Sequence, residues 1–269
     1  MADWDQLTSR GNVEDRRGAA PLVGGISGLG IILALGAFLL GGDPSQVLDL
    51  VTQVQPPISN QASEEFAGLD TYEEFASTVL GSTNELWRRE FQERGGEYVE
   101  PRLVLFRQAT QSGCGGASSR TGPHYCPADN TIYLDETFFD ELTARYGARG
   151  GDVAEAYVIA HEVGHHIQNL NGTLASVSRR DNEASIAIEL QADCYAGVWA
   201  GGVAEQGVIA PGEIEEALSA VAAVGDDRIQ EQATGQINPE TWTHGSSAQR
   251  TEAFTRGFET QEPAQCDYV

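Results

Sequence analysis

The sequence predicts an α+β domain set behind an N-terminal apolar segment, and three observations carry that reading. Two long helical patterns stand at 152–172 and 181–204, the first with its own start and stop signals. Two runs ahead of them, Val99–Gln108 (VEPRLVLFRQ) and Thr131–Asp135 (TIYLD), read as strands of a small sheet. Finally, Leu22–Leu40 is nineteen residues without a charge, just long enough to cross a bilayer as one helix.

From the N-terminus, residues 1–21 are polar, with three Arg and four acids and no apolar period, and are expected to form a disordered tail. Residues 22–41 are expected to be a single transmembrane anchor; the five glycines within Leu22–Leu40 are tolerated in a membrane span. A cleaved signal peptide is the rival, but Gly41-Gly42-Asp43-Pro44 offers no small-x-small cleavage site. Arg16 and Arg17 precede the span and no basic residue follows until Arg88. The positive-inside bias therefore puts the N-terminus in the cytoplasm and the rest outside. Residues 42–70, rich in Ser, Gln and Pro, read as a linker, and the domain proper is 71–269. Thr71-Tyr-Glu-Glu74 fits a capping box, and Tyr72, Phe75, Val79, Trp87 and Phe91 give the following helix an apolar face that Gly95-Gly96 ends. Between the two strands lies a Gly/Ser-rich loop holding Cys114, His124 and Cys126.

Composition excludes some functions. The 269 residues hold 40 acids against 16 basic residues, all of them Arg, for a formal charge of −24. So acidic a chain lacks the clustered cations that give nucleic-acid affinity, and without Lys it cannot build the usual phosphate-binding lysine site. Hydrophobic residues make up 41%, which argues against disorder throughout.

The chemistry concentrates in three segments. In 152–172, Gly150-Gly151 break the chain, Asp152 can cap the helix and Gly172 can stop it. Within it, His161-Glu162-Val163-Gly164-His165 puts two imidazoles four apart on one face, where both reach a single Zn²⁺. Glu162 beside them is the base that takes a proton from the attacking water. The positions that would continue to a third His hold Gln168 and Asn171, so a carboxylate from a second helix is needed. The helix of 181–204 offers Glu189 and Asp193, four apart on one face amid Ile186, Leu190, Ala192 and Cys194. One acid can ligate the ion while the other accepts an imidazole N–H. In the third segment, Thr241–Arg250, His244 is the first candidate to stabilise an oxyanion. Arg250 could support it, hold a substrate backbone or pair a buried acid. His166 falls off the ligand face and is expected to be structural, and His124 is expected to be exposed.

Four cysteines suit an exported domain. Cys114 with Cys126 would close the loop, and Cys194 with Cys266 would tie the C-terminus to the second helix. Their spacings match no zinc-ribbon pattern, and Cys194 could also be a plain buried residue.

HEVGHH, ELQADCYAGVW and THGSSAQR together resemble the bacterial neutral zinc metallopeptidase family, whose members are membrane-anchored near the N-terminus. The likeness extends to NVEDRR and HYCPADNTIYLD. More distantly, the order HExxH, ExxxD and His with Arg six later is similar to the CAAX-prenyl-protease and HtpX-type gluzincins. That resemblance implies one Zn²⁺ on His161, His165 and Glu189, Asp193 buttressing the site, and His244 with Arg250 around the transition state. Gly245 stands where those relatives often have Pro, and one span stands where they have several, so a prenylated or intramembrane substrate is not implied. The expected whole is a zincin-like, membrane-anchored zinc metallopeptidase acting on a peptide or protein, with strand 131–135 as a sheet edge for an extended substrate. Two other readings remain: a tethered zinc-stabilised binding protein without catalysis, and a zinc hydrolase of a non-peptide amide.

Overall fold

The computed structural model of the chain describes residues 1–18, 70–178 and 181–269. Residues 1–17 and 68–269 form one compact unit, and 18–67 a second. The expected span, 22–41, and all but the last residue of the expected linker lie outside the described residues. Among the described residues no helix is long and apolar enough to cross a membrane.

Helix α1, Thr71–Glu93, starts one residue earlier in its cap than expected: the Asp70 carboxylate accepts from the Glu73 amide at 2.7 Å. Its buried face carries Ala76, Val79, Leu80 and Trp87, a helical spacing that lays it on the core. The main sheet has four strands in the order β1-β2-β6-β5, where β1 is Asn12–Asp15, β2 Arg102–Leu105, β5 His124–Cys126 and β6 Thr131–Leu134. The β1–β2 and β2–β6 pairs are parallel, and β5–β6 is antiparallel. Alternation decides the two faces of this sheet. Leu103, Leu105, Ile132 and Leu134 join the main core, while Val104 and Tyr133 face the other way with Phe106, Ala117 and Cys126. Over that second face lies the hairpin of β3, Ala109–Ser112, and β4, Gly115–Ser118. The loop expected between two strands thus contains three more, and the Cys114–Cys126 disulfide ties hairpin to sheet.

Two expectations need correction here. The run 131–135 is not a sheet edge: β6 lies between β2 and β5, and the outer strand beside it is β5. Nor is the N-terminal stretch a disordered tail, since β1 pairs with β2 in register Asn12↔Arg102 to Asp15↔Leu105. An apolar period is absent because single anchors and ion pairs do the holding. Ala2 and Leu7 are buried, and Trp4 packs edge-on to Phe75 and stacks on Trp199. Buried Arg17 meets Asp15 and Asp70 at 2.7 and 2.8 Å and also Glu136.

Six more long helices follow: α2, Thr137–Tyr146; α3, Asp152–Leu170; α4, Asn182–Glu205; α5, Ile214–Ala223; α6, Asp226–Thr234; and α7, Ser247–Thr260. Helix α3 is entered through Gly151 at φ 108, so Asp152 is its first residue rather than its cap, and Gly172 at φ 78 closes the turn beyond its end. Helix α4 is capped by Asp181 and buries residues around nearly its whole circumference from Ile188 to Val203. That makes it the central helix of the unit. Two glycines let its neighbours approach. A Cβ on Gly164 of α3 would lie 2.9 Å from the Ala192 Cα, and one on Gly257 of α7 would lie 1.9 Å from the Cys194 carbonyl. The Cys194–Cys266 disulfide fastens the C-terminus to α4, as the cysteine count suggested.

Candidate metal centre

Two helices supply the donor atoms, and the close contact at Gly164 brings them together. His161 and His165 project from α3 at i and i+4. Glu189 reaches them from α4, Oε2 lying 3.3 Å from His161 Nε2 and Oε1 3.4 Å from His165 Nε2. All three donor atoms fall within 4.8 Å of one another. Ligand atoms at about 2.0–2.1 Å in a tetrahedron around Zn²⁺ stand ~3.3 Å apart, so the observed separations fit one such ion. The outer nitrogens are already engaged: His161 Nδ1 donates to Asp193 Oδ1 at 2.8 Å and His165 Nδ1 to Gln168 Oε1 at 2.9 Å. Each imidazole is thereby fixed with Nε2 free for the ion. Of the acid pair left open by spacing alone, Glu189 is the one grouped with the two imidazoles so that it could hold an ion, and Asp193 is the one bonded to His161 Nδ1.

Asp193 is the hub beneath the site and is fully buried. It accepts from Tyr157 Oη at 2.6 Å, His161 Nδ1 at 2.8 Å, Arg250 Nε at 2.7 Å and Arg250 Nη2 at 2.9 Å. Burial opposes its ionisation, but Arg250 and His161 prevail and hold its carboxyl below the usual range. Of the roles open to Arg250, the geometry selects pairing with a buried acid; its guanidinium also donates to the Val224 carbonyl at 3.2 Å. Burial likewise opposes a charge on His161, yet Asp193 and Glu189 push its pKa up to about 10.

Glu162 is buried at 6% exposure, and its Oε2 has no hydrogen-bond partner among the described residues. A buried carboxylate oxygen without a donor is costly unless a ligand or water completes it. It opens on a cleft of about 870 Å³ that His161, His165, Glu189, His244 and Arg250 also line. Its lining includes the apolar side chains of Leu142, Val158, Leu174, Val177, Ile188 and Ile229. His124 and Tyr125 of β5 also line it, so His124 sits on a strand, stacked 5.4 Å over Tyr133, rather than in an exposed loop. His166 is structural as expected, bonded to Tyr125 Oη at 2.9 Å and the Val99 carbonyl at 2.6 Å.

His244 reaches the cleft from the loop before α7, and a residue that spacing did not reveal puts it there. Asp226, the first residue of α6, accepts from the backbone amides of Thr243, His244 and Gly245 at 2.8, 2.7 and 3.0 Å. Its Oδ1 also accepts from His244 Nδ1 at 3.1 Å. The hydrogen bond to Asp226 raises the His244 pKa above the ordinary histidine value. Tyr157 and Gln168 are the other unforeseen members. Tyr157 lies one turn before His161 on α3, where a phenol reads as core; Gln168 is three residues past His165, which could have flagged it.

The family described as "Putative neutral zinc metallopeptidase" matches residues 2–269. The uncharacterised protein YpfJ of Escherichia coli K12 is 40% identical over 280 residues, covering 98% of this chain and 97% of that one. The uncharacterised protein Rv2575 of Mycobacterium tuberculosis H37Rv is 42% identical over 250 residues, covering 86% of this chain and 84% of its own. No solved structure matches.

Proposed function

The chain belongs to the neutral zinc metallopeptidase family, and on that premise we propose that it is a zinc-dependent peptidase that hydrolyses peptide bonds with Glu162 as general base. The observation that carries this reading is the convergence of His161 Nε2, His165 Nε2 and Glu189 beside the buried, partnerless Glu162 Oε2. These three residues would hold one Zn²⁺, which when bound acts as a Lewis acid that lowers the pKa of water and polarises a carbonyl.

The remaining work falls to the chain's own groups. Glu162 accepts the proton of the attacking water at Oε2 and passes it to the departing amide nitrogen. His244, held by Asp226, whose hydrogen bond favours its protonated form, offers Nε2 to the oxyanion that forms as water adds. Arg250 and Tyr157 act through Asp193, which fixes the His161 ring, so they are positioning residues. The outer strand β5 lines the cleft and gives an extended peptide a backbone edge to pair with, while the apolar lining favours apolar side chains near the scissile bond. Two disulfides support an oxidising, extracytoplasmic location, and the apolar run 22–40 supports attachment to the membrane.

Incubating the zinc-loaded protein with a mixed-sequence peptide library, and in parallel with cell-wall amide fragments, tests the reading. Peptide cleavage abolished by a chelator and restored by Zn²⁺ supports it. Zinc binding with no cleavage of either set would leave a binding protein, and cleavage of the fragments alone would leave a non-peptide amidase.

A further inference from the structure

The N-terminal arm is built into the same unit as the metal centre. The Asp3 amide donates to the Val208 carbonyl at 2.8 Å and the Gly11 amide to the Ser77 carbonyl at 2.7 Å. Asp152, at the start of α3, accepts from the Ala2 amide at 3.0 Å and from Trp4 Nε1 at 2.7 Å. Residues 12–15 pair with β2, and the Arg16 amide donates to the Leu105 carbonyl at 2.8 Å. The arm crosses α1 where Gly81 leaves room, since a Cβ there would meet the Arg10 amide nitrogen at 2.5 Å.

Arg17 and Asp70 bracket the apolar run 22–40, yet their side chains are 2.8 Å apart. One crossing of a hydrocarbon core about 30 Å thick would separate these two residues by at least that thickness. We propose that the N-terminus and the catalytic unit lie on the same face of the membrane, the oxidising one. The cytoplasmic N-terminus expected from Arg16 and Arg17 gives way because both are committed to carboxylates, Arg16 to Glu14 at 2.7 Å and Arg17 to Asp15, Asp70 and Glu136. The two disulfides, Cys114–Cys126 and Cys194–Cys266, set which face it is.

All four cysteines are bridged, so a single added cysteine reports its own location. Thr8→Cys and Asp5→Cys place one in the exposed part of the arm, and Gln232→Cys places one on the exposed surface of α6. Each full-length variant is expressed in bacterial cells with a permeabilised outer envelope and treated with a membrane-impermeant maleimide before and after lysis. The proposal expects arm and α6 variants to label to within about twofold of each other in intact cells, with no gain on lysis. Labelling of α6 before lysis and of the arm only after it would overturn the proposal. So would labelling of both only after lysis, which would place the unit on the reducing face. Two arm positions guard against one that misfolds, and retention of both disulfides on a non-reducing gel identifies folded protein.

Discussion

Asp193→Asn is the perturbation that probes the support of the site most sharply. The replacement is nearly isosteric, so it leaves no cavity, but it removes the charge that faces a guanidinium only 3% exposed. Four donors converge on that carboxylate: two from Arg250, one from Tyr157 and one from His161. Breaking a buried ion pair by removing one partner costs about 3–5 kcal/mol, because the other charge is left uncompensated. For a domain of this size that lowers Tm by roughly 10 °C, at about 2–4 °C per kcal/mol. The carboxamide oxygen can still accept from His161 Nδ1, but its nitrogen cannot accept from Arg250 Nε and the charge behind the ring is gone, so the imidazole is held less firmly and zinc affinity falls by about 10–100-fold. Adding Arg250→Met removes the stranded charge, and the double variant recovers much of the stability but not the zinc affinity. Calorimetric unfolding and competition with a zinc chelator read the two effects separately. A single variant that melts within 2 °C of the parent and binds zinc as tightly would refute the reasoning, by showing that Asp193 is not the hub.

Further outcomes follow from other groups. Asp226→Asn removes the carboxylate charge and weakens the hydrogen bond that raises the His244 pKa. A histidine that works protonated loses activity as pH rises through its pKa, so the alkaline limb of the kcat/KM profile shifts to lower pH in this variant; an unmoved limb contradicts the role given to His244. Glu155 is held up to about 7, chiefly by burial, against an ordinary 4.5. The folded state therefore binds more protons than the unfolded one between these values, and stability falls as pH rises from 4.5 to 7. Glu155→Gln removes that loss and gains roughly 1–3 kcal/mol at pH 8 but little near pH 4, measurable by urea unfolding at both. Opening the Cys194–Cys266 bridge as the Ser pair frees a loop of 72 residues and costs about 4 kcal/mol on the chain-entropy estimate, read as a lowered urea midpoint.

The metal centre was legible because helical geometry is local. His161, Glu162 and His165 are fixed relative to one another by a rise of about 1.5 Å per residue, and a second four-residue spacing at Glu189 and Asp193 brings two acids to one face. Which acid groups with the imidazoles was not local, since it depends on how far Gly164 lets α4 approach. Asp226 escaped notice for the same reason: it lies eighteen residues before His244 and meets it only because α6 folds back beside the loop. Helix α7 could have been read from its capping box, Ser246 with Gln249. The arm was misread because pattern methods look for periodic apolar residues, and its attachment is a parallel strand with charged side chains and three isolated anchors, Ala2, Trp4 and Leu7. The sheet edge was misassigned because β5 has only three residues, His124–Cys126, too few to stand out beside TIYL.

The central claim is that Glu162 moves the proton at a site where His161, His165 and Glu189 hold one Zn²⁺. Its most direct test measures bound zinc and peptide hydrolysis on the same preparation of Glu162→Gln. The account predicts one zinc per chain, as in the parent, with kcat lower by three or more orders of magnitude, roughly 4 kcal/mol in the barrier. Hydrolysis at the parent rate would contradict it.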